Sequence, residues 1–303
     1  IGFDAAHRRR NQAVWQPTDE DRDSFVDTEV KPLIDDVPAV TSARRRVSGK
    51  ERIGLKKFKG CLAHFLGGKA QRAYRRITIA GAKADEIDAF DQQVEGSLDP
   101  ITGMRGRLEG APFPKLILGT TPRVKGISHV ESRVQAADAV MRYVIACPHC
   151  QTEHPLIWGG RSLPYGFKWQ GNDPATACHI CPHCGTAITQ AEYLPDGITP
   201  MRGHWLCDRT GLRYHDDTGE FTDAAGHLTR PPRHIALVDI WTAYSPQREW
   251  SDIVREFLHA ERREEMGDPG PMQGFVNETL ARCWEAGNIV TPSGELLARA
   301  KNE

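Results

Sequence analysis

The tetrapeptide Cys-Pro-His-Cys occurs twice in this chain, at residues 147–150 and 181–184, and it strongly restricts how the surrounding segment can fold. Each copy places two thiols on one tight turn. Two such turns separated by 30 residues have the spacing of a four-cysteine zinc ribbon. Because four protein ligands complete a tetrahedral coordination sphere, the predicted zinc is structural rather than catalytic. The predicted ligands are Cys147, Cys150, Cys181 and Cys184.

Other ligand sets are compatible with the same segment. Cys178 and Cys181 form a further C-x2-C pair, and a neighbouring imidazole can replace a thiolate in a zinc site. The candidate imidazoles are His149, His179 and His183. A redox-active pair is a weaker interpretation, since it predicts one motif beside a βαβ unit and not two matching motifs. Repetition of the whole tetrapeptide favours the first assignment.

Charge and hydropathy exclude several classes of protein. The 39 Lys and Arg residues balance 40 Asp and Glu residues, so net charge indicates neither a nucleic-acid partner nor an anionic membrane. No segment reaches the roughly 20 apolar residues of a membrane span, and no signal-peptide pattern opens the chain. We therefore expect a soluble intracellular protein. Because the first residue is Ile1 rather than Met, we also expect the chain to be part of a longer protein. Basic clusters, which either contact phosphates or simply face solvent, occur at residues 8–10, 44–46, 56–59 and 75–76.

Alternating strand and helix patterns in the first part of the chain predict an α/β fold with a doubly wound sheet. Short strand-like runs lie at residues 11–16, 61–66, 76–80 and 115–119, with a helical pattern from the Pro17-Thr18 cap to Pro38. Irregular sequence begins at residue 142 and continues to about residue 231. Regular patterns then return as a strand within residues 234–244, a helix near 250–258 and a second helix near 272–283.

Two polar sequences follow predicted strands in the first part of the chain. Asp85-Glu86 is the arrangement of a Walker B motif, in which the first acid binds Mg²⁺ and the second polarises an attacking water. Thr120 and Thr121 follow the next strand, and ligands bind at such carboxyl ends in open α/β sheets. The alternative interpretation is a solvated turn and a simple strand cap. Two lysine sequences that look like phosphate loops, SGKE at 48–51 and GGKA at 67–70, lack the required glycine spacing and hydroxyl.

Taken in order, these segments resemble the large terminase subunits of lambda-like tailed bacteriophages, which package DNA as a motor and nuclease. The resemblance extends over nearly the whole chain. Its main stretches are AVWQPTDEDRDSF, ADEIDAFD, KLILGTTPRVKGISHVESRVQAAD, YVIACPHC, CPHCG with GHW after it, WTAYSPQREWSDIVREFLHA and FVNETLARCWE. It implies a P-loop-NTPase-like fold of the ASCE type, with a mostly parallel sheet flanked by helices and an inserted zinc-ribbon module.

The resemblance also implies roles for individual residues. Asp85 becomes the ligand of Mg²⁺-ATP, Glu86 the catalytic carboxylate, and Thr120 and Thr121 the coupling motif that senses the γ-phosphate. Arg107 lies where the family carries an arginine that faces a phosphate, although Arg105 is one helical step away. The implied partners are viral double-stranded DNA, the small terminase subunit, the portal protein and further copies of the motor in a ring, in the cytoplasm of the bacterial host.

The domain arrangement implied by the resemblance is incomplete. Residues 1–141 correspond to a partial motor domain with Walker B but without Walker A, and residues 142–231 to the zinc-ribbon insertion. Residues 232–284 return to the motor domain, and 285–303 form a linker toward a nuclease domain expected after Trp284. The chain alone is therefore expected to be inactive as an ATPase and as a nuclease.

Two other functions remain open from the sequence. One is a zinc-ribbon nucleic-acid binder without catalysis, in which Trp158, Trp169 and Trp205 stack on bases, although tryptophans near a ribbon can equally form its small core. The other is an assembly module that docks a neighbouring motor subunit or the portal.

Overall fold

The structure, a computed structural model, describes residues 1–45, 52–194 and 201–285. The chain divides into two compact units, Ile1–Thr121 and Pro122–Glu303. The SGKE sequence, Arg46 and nearly all of the predicted linker lie outside the described residues. No helix in the described part of the chain has the length and apolar character needed to cross a membrane.

The first unit consists of five strands with short helices between them. The strands are β1 (Gln12–Gln16), β2 (Leu55–Phe58), β3 (Cys61–Gly67), β4 (Gly81–Ala84) and β5 (Lys115–Leu118). The α-helices are α1 (Asp19–Phe25), α2 (Lys31–Asp36), α3 (Pro38–Ala43) and α4 (Pro100–Arg105). Single turns of π or 3-10 helix span Asp4–Arg8, Val26–Val30, Gln71–Tyr74 and Ile87–Ala89.

These strands form one sheet in the order β2-β3-β1-β4-β5. Strands β3, β1, β4 and β5 are parallel, and β2 forms an antiparallel hairpin with β3. The predicted α/β class is therefore confirmed, with a sheet that is mixed but mostly parallel. Strand β1 lies at its centre and is buried along its whole length, which explains the apolar Ala-Val-Trp sequence.

The strand that leads to Asp85 begins later than predicted. Residues 76–80 are the more apolar run, but the paired strand is β4, Gly81–Ala84. Arg76 adopts a φ of 61°, and Ile79 donates its amide to the carbonyl of Arg107 at 3.2 Å, so residues 76–79 do not join the ladder. Ala80 is hydrogen-bonded on both sides, through its amide to Asn11 at 2.8 Å and through its carbonyl to Lys115 at 3.0 Å. Lys83 is tolerated inside β4 because Asp4 and Gln12 bind its ammonium at 3.2 and 2.6 Å.

The helix predicted after β1 begins at the expected cap. The hydroxyl of Thr18 accepts the amide of Asp21 at 3.0 Å, and the Asp21 carboxylate accepts the amide of Thr18 at 3.2 Å, which completes a capping box. The helical path continues through α1, the π turn Val26–Val30 and α2, and it ends before Pro38 as predicted. Its buried side chains, Val26, Val30 and Ile34, pack on the same cluster as Phe65 of β3.

The second unit is richer in short strands. They are β6 (Ala139–Ala146), β7 (Glu153–His154), β8 (Gly166–Gln170), β9 (Asp173–Ile180), β10 (Ala187–Ile188), β11 (Gly203–Leu206), β12 (Arg213–His215), β13 (Glu220–Thr222), β14 (Leu228–Thr229) and β15 (Ile235–Val238). The helices are α5 (Glu131–Gln135), α6 (Gln190–Tyr193), α7 (Trp250–Glu265) and α8 (Gly270–Gly274), with a 3-10 turn at Thr242–Tyr244 and a π turn at Phe275–Thr279.

Two sheets organise this unit. One has the order β10-β9-β8, and the other has the order β14-β13-β12-β11-β6-β15 with β7 paired to β6. All pairs are antiparallel except β15 with β6. The strand predicted within 234–244 is thus present as β15. The predicted second helix ends earlier than expected, at Thr279, and Ala281 beyond it has a φ of 52°.

An aromatic core lies under α7, whose buried face carries the apolar side chains that the sequence pattern predicts. Trp158 contacts the rings of Trp169, Trp241 and Phe275 at centroid distances of 5.6, 6.2 and 5.1 Å. Trp158 and Trp169 are partly buried and pack against this core, which agrees with the sequence alternative in which the tryptophans form a small core rather than stack on bases. Trp205 is half-buried and contacts Tyr143 edge to face at 5.4 Å.

Candidate functional site

The acidic pair and the two threonines lie at the same edge of the first sheet. Strands β4 and β5 are parallel neighbours with Ala84 opposite Leu118, so the residues that follow each strand emerge side by side. Asp85 and Glu86 directly follow β4, and Thr120 and Thr121 follow β5 after Gly119. The structure thus places the four predicted residues together at the carboxyl edge, where open α/β sheets bind ligands.

The acidic pair occupies a sharp turn. Asp85 continues the β4 ladder by donating its amide to the carbonyl of Trp15 at 3.2 Å. Glu86 then adopts a left-handed conformation, with φ 50° and ψ 45°, and donates its amide to Oδ1 of Asp85 at 3.2 Å. This conformation is uncommon for a residue with a side chain and is found where surrounding contacts impose it.

Gly119 lies beside this turn, immediately after β5. A Cβ atom at this position would lie 3.7 Å from Oδ1 of Asp85 and 3.9 Å from the carbonyl oxygen of Ala84. Both are ordinary van der Waals distances, so a Cβ atom would fit beside the carboxylate of Asp85. Gly119 was not a predicted site residue, although it stands immediately before the two hydroxyl residues.

The donor atoms at this edge fit a hard divalent cation. Carboxylate and hydroxyl oxygens are the ligands that Mg²⁺ prefers, and it usually binds through one or two carboxylates plus the phosphates of a substrate. Asp85 uses only Oδ1 in the hydrogen bond from Glu86, and its other oxygen makes no hydrogen bond with the residues that the structure describes. Such an edge can hold a magnesium–phosphate group with a second carboxylate beside it.

The backbone of Arg107 lies near the opposite end of β4 from this edge. Its carbonyl accepts the amide of Ile79, which precedes the first residue of β4, whereas Asp85 follows the last. At about 3.3 Å per strand residue, the length of β4 separates the two positions by more than about 10 Å. Arg107 Nε is buried without a hydrogen-bond partner in the described part of the chain, and Arg105 is exposed in the last turn of α4.

The lysine sequence at 67–70 lies at the carboxyl end of β3 but is not shaped as a phosphate loop. The amide of Gly68 donates to the carbonyl of Gln16 at 2.8 Å, so it is not available to an anion. A Cβ atom at Gly68 would lie 2.3 Å from the ring of Phe90. Close packing therefore accounts for this glycine, in agreement with the rejection of the motif from the sequence.

Basic side chains of two predicted clusters are used inside the first unit. Arg10 donates to the carbonyl oxygens of Pro112 and Phe113 at 2.5 and 2.6 Å, and Arg8 lies 3.8 Å from Asp4. Lys56 is 4% exposed. Arg10 and Lys56 are therefore engaged within the unit, an outcome that neither the phosphate-contact nor the solvent-facing interpretation predicted, whereas Arg8 is exposed.

The four predicted cysteines converge in the second unit. Their sulfur atoms all lie within 4.8 Å of one another, with Cys147 Sγ 3.9 Å from Cys184 Sγ and Cys150 Sγ 3.9 Å from Cys181 Sγ. A tetrahedral zinc with Zn–S bonds of about 2.3 Å requires sulfur atoms about 3.8 Å apart. The cluster therefore has the composition and dimensions of a four-thiolate zinc site.

Both turns of the cluster have the same backbone hydrogen bonds. The amide of Cys147 donates to the carbonyl of Thr152 at 3.1 Å, and that of Cys181 donates to Thr186 at 3.0 Å. The residue between each tetrapeptide and its threonine has a positive φ, 60° at Gln151 and 73° at Gly185. The repeat is thus six residues long, Cys-Pro-His-Cys-x-Thr, a longer pattern than the one used to predict the site.

The threonines of this longer repeat also act on the thiols. The Thr186 hydroxyl, 3.4 Å from the sulfur, lowers the pKa of Cys184 to about 6, and Thr152 lowers the pKa of Cys150. Burial has the opposite effect on Cys147 and raises its pKa to about 11. The second cysteine of each tetrapeptide thus has a lowered pKa, which favours the thiolate, the form that binds metal.

The alternative ligands have other contacts. His149 lies 2.9 Å from Glu192, and Cys178 is not among the clustered sulfurs. His179 is fully buried, accepts the amide of Ile157 at 3.3 Å and stacks on His154 at 5.1 Å. Burial, with the neighbouring His154, lowers the pKa of His179 to about 3, so it stays neutral. His183 lies near His154 at 6.2 Å, also outside the cluster.

Together these features define an α/β protein with a candidate acidic site at a sheet edge and a candidate four-cysteine metal site. Residues 1–205 match the family model described as phage terminase large subunit gpA, ATPase domain, and residues 236–303 match that of the terminase large subunit gpA endonuclease domain. The chain therefore belongs to the gpA family of phage terminase large subunits.

Individual relatives agree with this assignment. The chain is 34% identical over 299 residues to the terminase large subunit of Escherichia phage lambda, covering 97% of this chain and 45% of that protein. It is 35% identical over 283 residues to that of Enterobacteria phage P21, covering 92% and 42%. The chain thus spans less than half the length of these relatives. A solved large terminase from a thermophilic bacteriophage is 20% identical over 38% of this chain and 27% of its own, with a TM-score of 0.28, too low to support an argument.

The boundaries of the family models differ from the predicted domains. The endonuclease-domain model begins at residue 236, before Trp284, the point after which a nuclease domain was expected. It includes most of β15 and all of α7 and α8, which the sequence analysis assigned to a returning part of the motor domain. The predicted division of the chain, including the insertion at 142–231, stays a prediction.

Proposed function

We propose that this chain is part of an ATP-driven motor that packages viral double-stranded DNA and, in the complete protein, also cleaves it. The observation that carries this proposal is the position of Asp85, Glu86 and Thr120 after adjacent parallel strands, within a chain of the terminase family. The proposed fold of the first unit is of the P-loop-NTPase type, with the carboxyl edge as the nucleotide site.

Asp85 and Glu86 have separate roles in this proposal. Asp85 holds Mg²⁺, which when bound neutralises charge on the transferred phosphoryl group. Glu86 follows on the left-handed turn and orients and deprotonates the attacking water as a general base. Thr120 and Thr121 follow the neighbouring strand and form the coupling motif, which senses the γ-phosphate and transmits hydrolysis to the movement of DNA.

The four-cysteine cluster is proposed as a structural zinc site. Its four sulfurs leave no open coordination position for a substrate, so its role is to fix the two turns that carry them. The zinc-ribbon module then shapes the second unit while the chemistry takes place at the acidic edge of the first.

The proposed partners follow from the packaging function. They are viral double-stranded DNA, the small terminase subunit, the portal protein and further copies of the motor in a ring, in the host cytoplasm. These partners are proposed for the complete protein, and the chain spans less than half the length of the relatives that it matches.

Asp85→Asn in the complete protein tests the proposal. The amide keeps the shape of the side chain but binds Mg²⁺ weakly, so half-maximal ATP hydrolysis should require at least about tenfold more Mg²⁺. The measurement is the rate of phosphate release against magnesium concentration, with and without double-stranded DNA. Asp91→Asn is the matched control, since Asp91 is exposed and lies beyond the turn. An unchanged magnesium dependence in Asp85→Asn would contradict the proposed site.

A further inference from the structure

The hydroxyl of Thr120 is already engaged by the protein backbone. It accepts the amide of Asp88 at 3.1 Å and donates to the carbonyl oxygen of Thr121 at 3.1 Å. A hydroxyl has one proton to donate, so Thr120 cannot also donate to a phosphate while this arrangement holds. Its partners lie on two different segments, the residues that follow β5 and the 3-10 turn Ile87–Ala89.

These hydrogen bonds connect β5 to the turn that carries Glu86. A second link runs beside them, since the amide of Ile87 donates to the carbonyl of Gly119 at 3.1 Å. Ile87 is fully buried, so the packing of its side chain also fixes this turn. Glu86 lies one residue before the first linked amide, that of Ile87, and two residues before the second, that of Asp88, so the left-handed conformation of its backbone depends on contacts made by the residues that follow it.

Thr121 differs from Thr120 in this respect. Its side chain is half-buried, and its hydroxyl makes no hydrogen bond with the residues described in the structure. Of the two neighbouring hydroxyls, one therefore holds the acidic turn and the other remains available to a ligand at the edge.

We infer that Thr120 is a positioning residue that fixes the carboxylate of Glu86 through the amide of Asp88, whereas Thr121 presents the hydroxyl that meets the nucleotide. The inference rests on the proposed ATPase function and divides the coupling motif into two tasks. Loss of the Thr120 hydroxyl frees the Asp88 amide and lets the Glu86 turn relax, so the base is misplaced while the magnesium and nucleotide contacts persist.

The experiment compares Thr120→Val and Thr120→Ser in the complete protein. Valine keeps the branched shape without the hydroxyl, and we expect kcat for ATP hydrolysis to fall by at least about tenfold with KM within about twofold. Serine retains the hydroxyl and should restore kcat to within about threefold of the unmodified protein. Thr121→Val should show the opposite pattern, a higher KM with a smaller effect on kcat.

Thr28→Val is the matched control, because the Thr28 hydroxyl also donates to a backbone carbonyl, that of Ser24 at 3.0 Å, on the helical segment after β1. It should leave both constants unchanged. Thermal unfolding checks that each variant folds, and Thr120→Ala carries the test if valine does not fit.

ATP hydrolysis by the unmodified protein would support the proposed function. If it is observed, three results would overturn the inference alone. They are an unchanged kcat in Thr120→Val, a raised KM with unchanged kcat in that variant, and a serine variant as slow as the valine variant. Absence of magnesium-dependent hydrolysis in the unmodified complete protein would instead overturn the proposed function, and this inference with it.

Discussion

Glu86→Gln in the complete protein is expected to slow ATP hydrolysis by at least about a hundredfold, while nucleotide affinity changes by less than about threefold. Glutamine has nearly the same shape as glutamate but cannot accept a proton from water. The left-handed turn at Glu86 is held by backbone contacts of Ile87 and Asp88, so the substitution should leave its path unchanged.

The measurement combines steady-state phosphate release with equilibrium binding of a nucleotide analogue in the presence of Mg²⁺. Glu109→Gln is the matched control, because Glu109 is exposed in the same unit and lies well before β5. Hydrolysis by Glu86→Gln at the unmodified rate would refute the assignment of Glu86 as the base and support the alternative of a solvated turn.

Cys181→Ser is expected to release zinc and to unfold the segment around both cysteine turns. Cys181 is 1% exposed, so its replacement leaves a hydroxyl that binds zinc poorly in a buried position. Loss of a ligand should reduce zinc affinity by much more than the roughly 10- to 100-fold that is typical when a residue hydrogen-bonded to a ligand is lost. Because metal binding and folding are coupled in such sites, residues 145–206 should lose protection while the first unit retains its structure.

Zinc content by elemental analysis and amide hydrogen exchange, measured segment by segment, provide the two readouts. Cys178→Ser is the matched control, because Cys178 is partly buried on β9 but is not among the clustered sulfurs. Loss of metal in Cys178→Ser with retention in Cys184→Ser would reassign the ligands. Absence of zinc from protein purified without chelator would refute the metal site itself.

The sequence predicted the location of the acidic site better than its geometry. Apolar runs identified β3 and β5, but the strand before Asp85 consists of small residues and a lysine. Lys83 is tolerated there because Asp4 and Gln12, from another segment, bind its ammonium group. No local pattern reveals such a long-range partner. The left-handed turn at Glu86 was equally hidden, since neighbouring backbone contacts impose it against the usual preference of glutamate.

The cysteine site was predictable because its signal is local. Each six-residue repeat encodes one complete turn, including the threonine that bonds back to the first cysteine, so spacing alone identified the four residues. The histidines could not be excluded in this way. Their separation from the cluster depends on contacts with distant residues, since His179 is buried against His154 and His149 contacts Glu192 of α6.

The positions of the two cysteine turns have a mechanical consequence. The first turn joins β6 to β7 in the larger sheet of the second unit, and the second joins β9 to β10 in the smaller sheet. With zinc bound, tension applied to β6 reaches β9 through sulfur–metal bonds as well as through the soft side-chain packing between the sheets. A chelator should therefore lower the force needed to separate the two sheets in a pulling experiment, even where the unloaded protein remains folded.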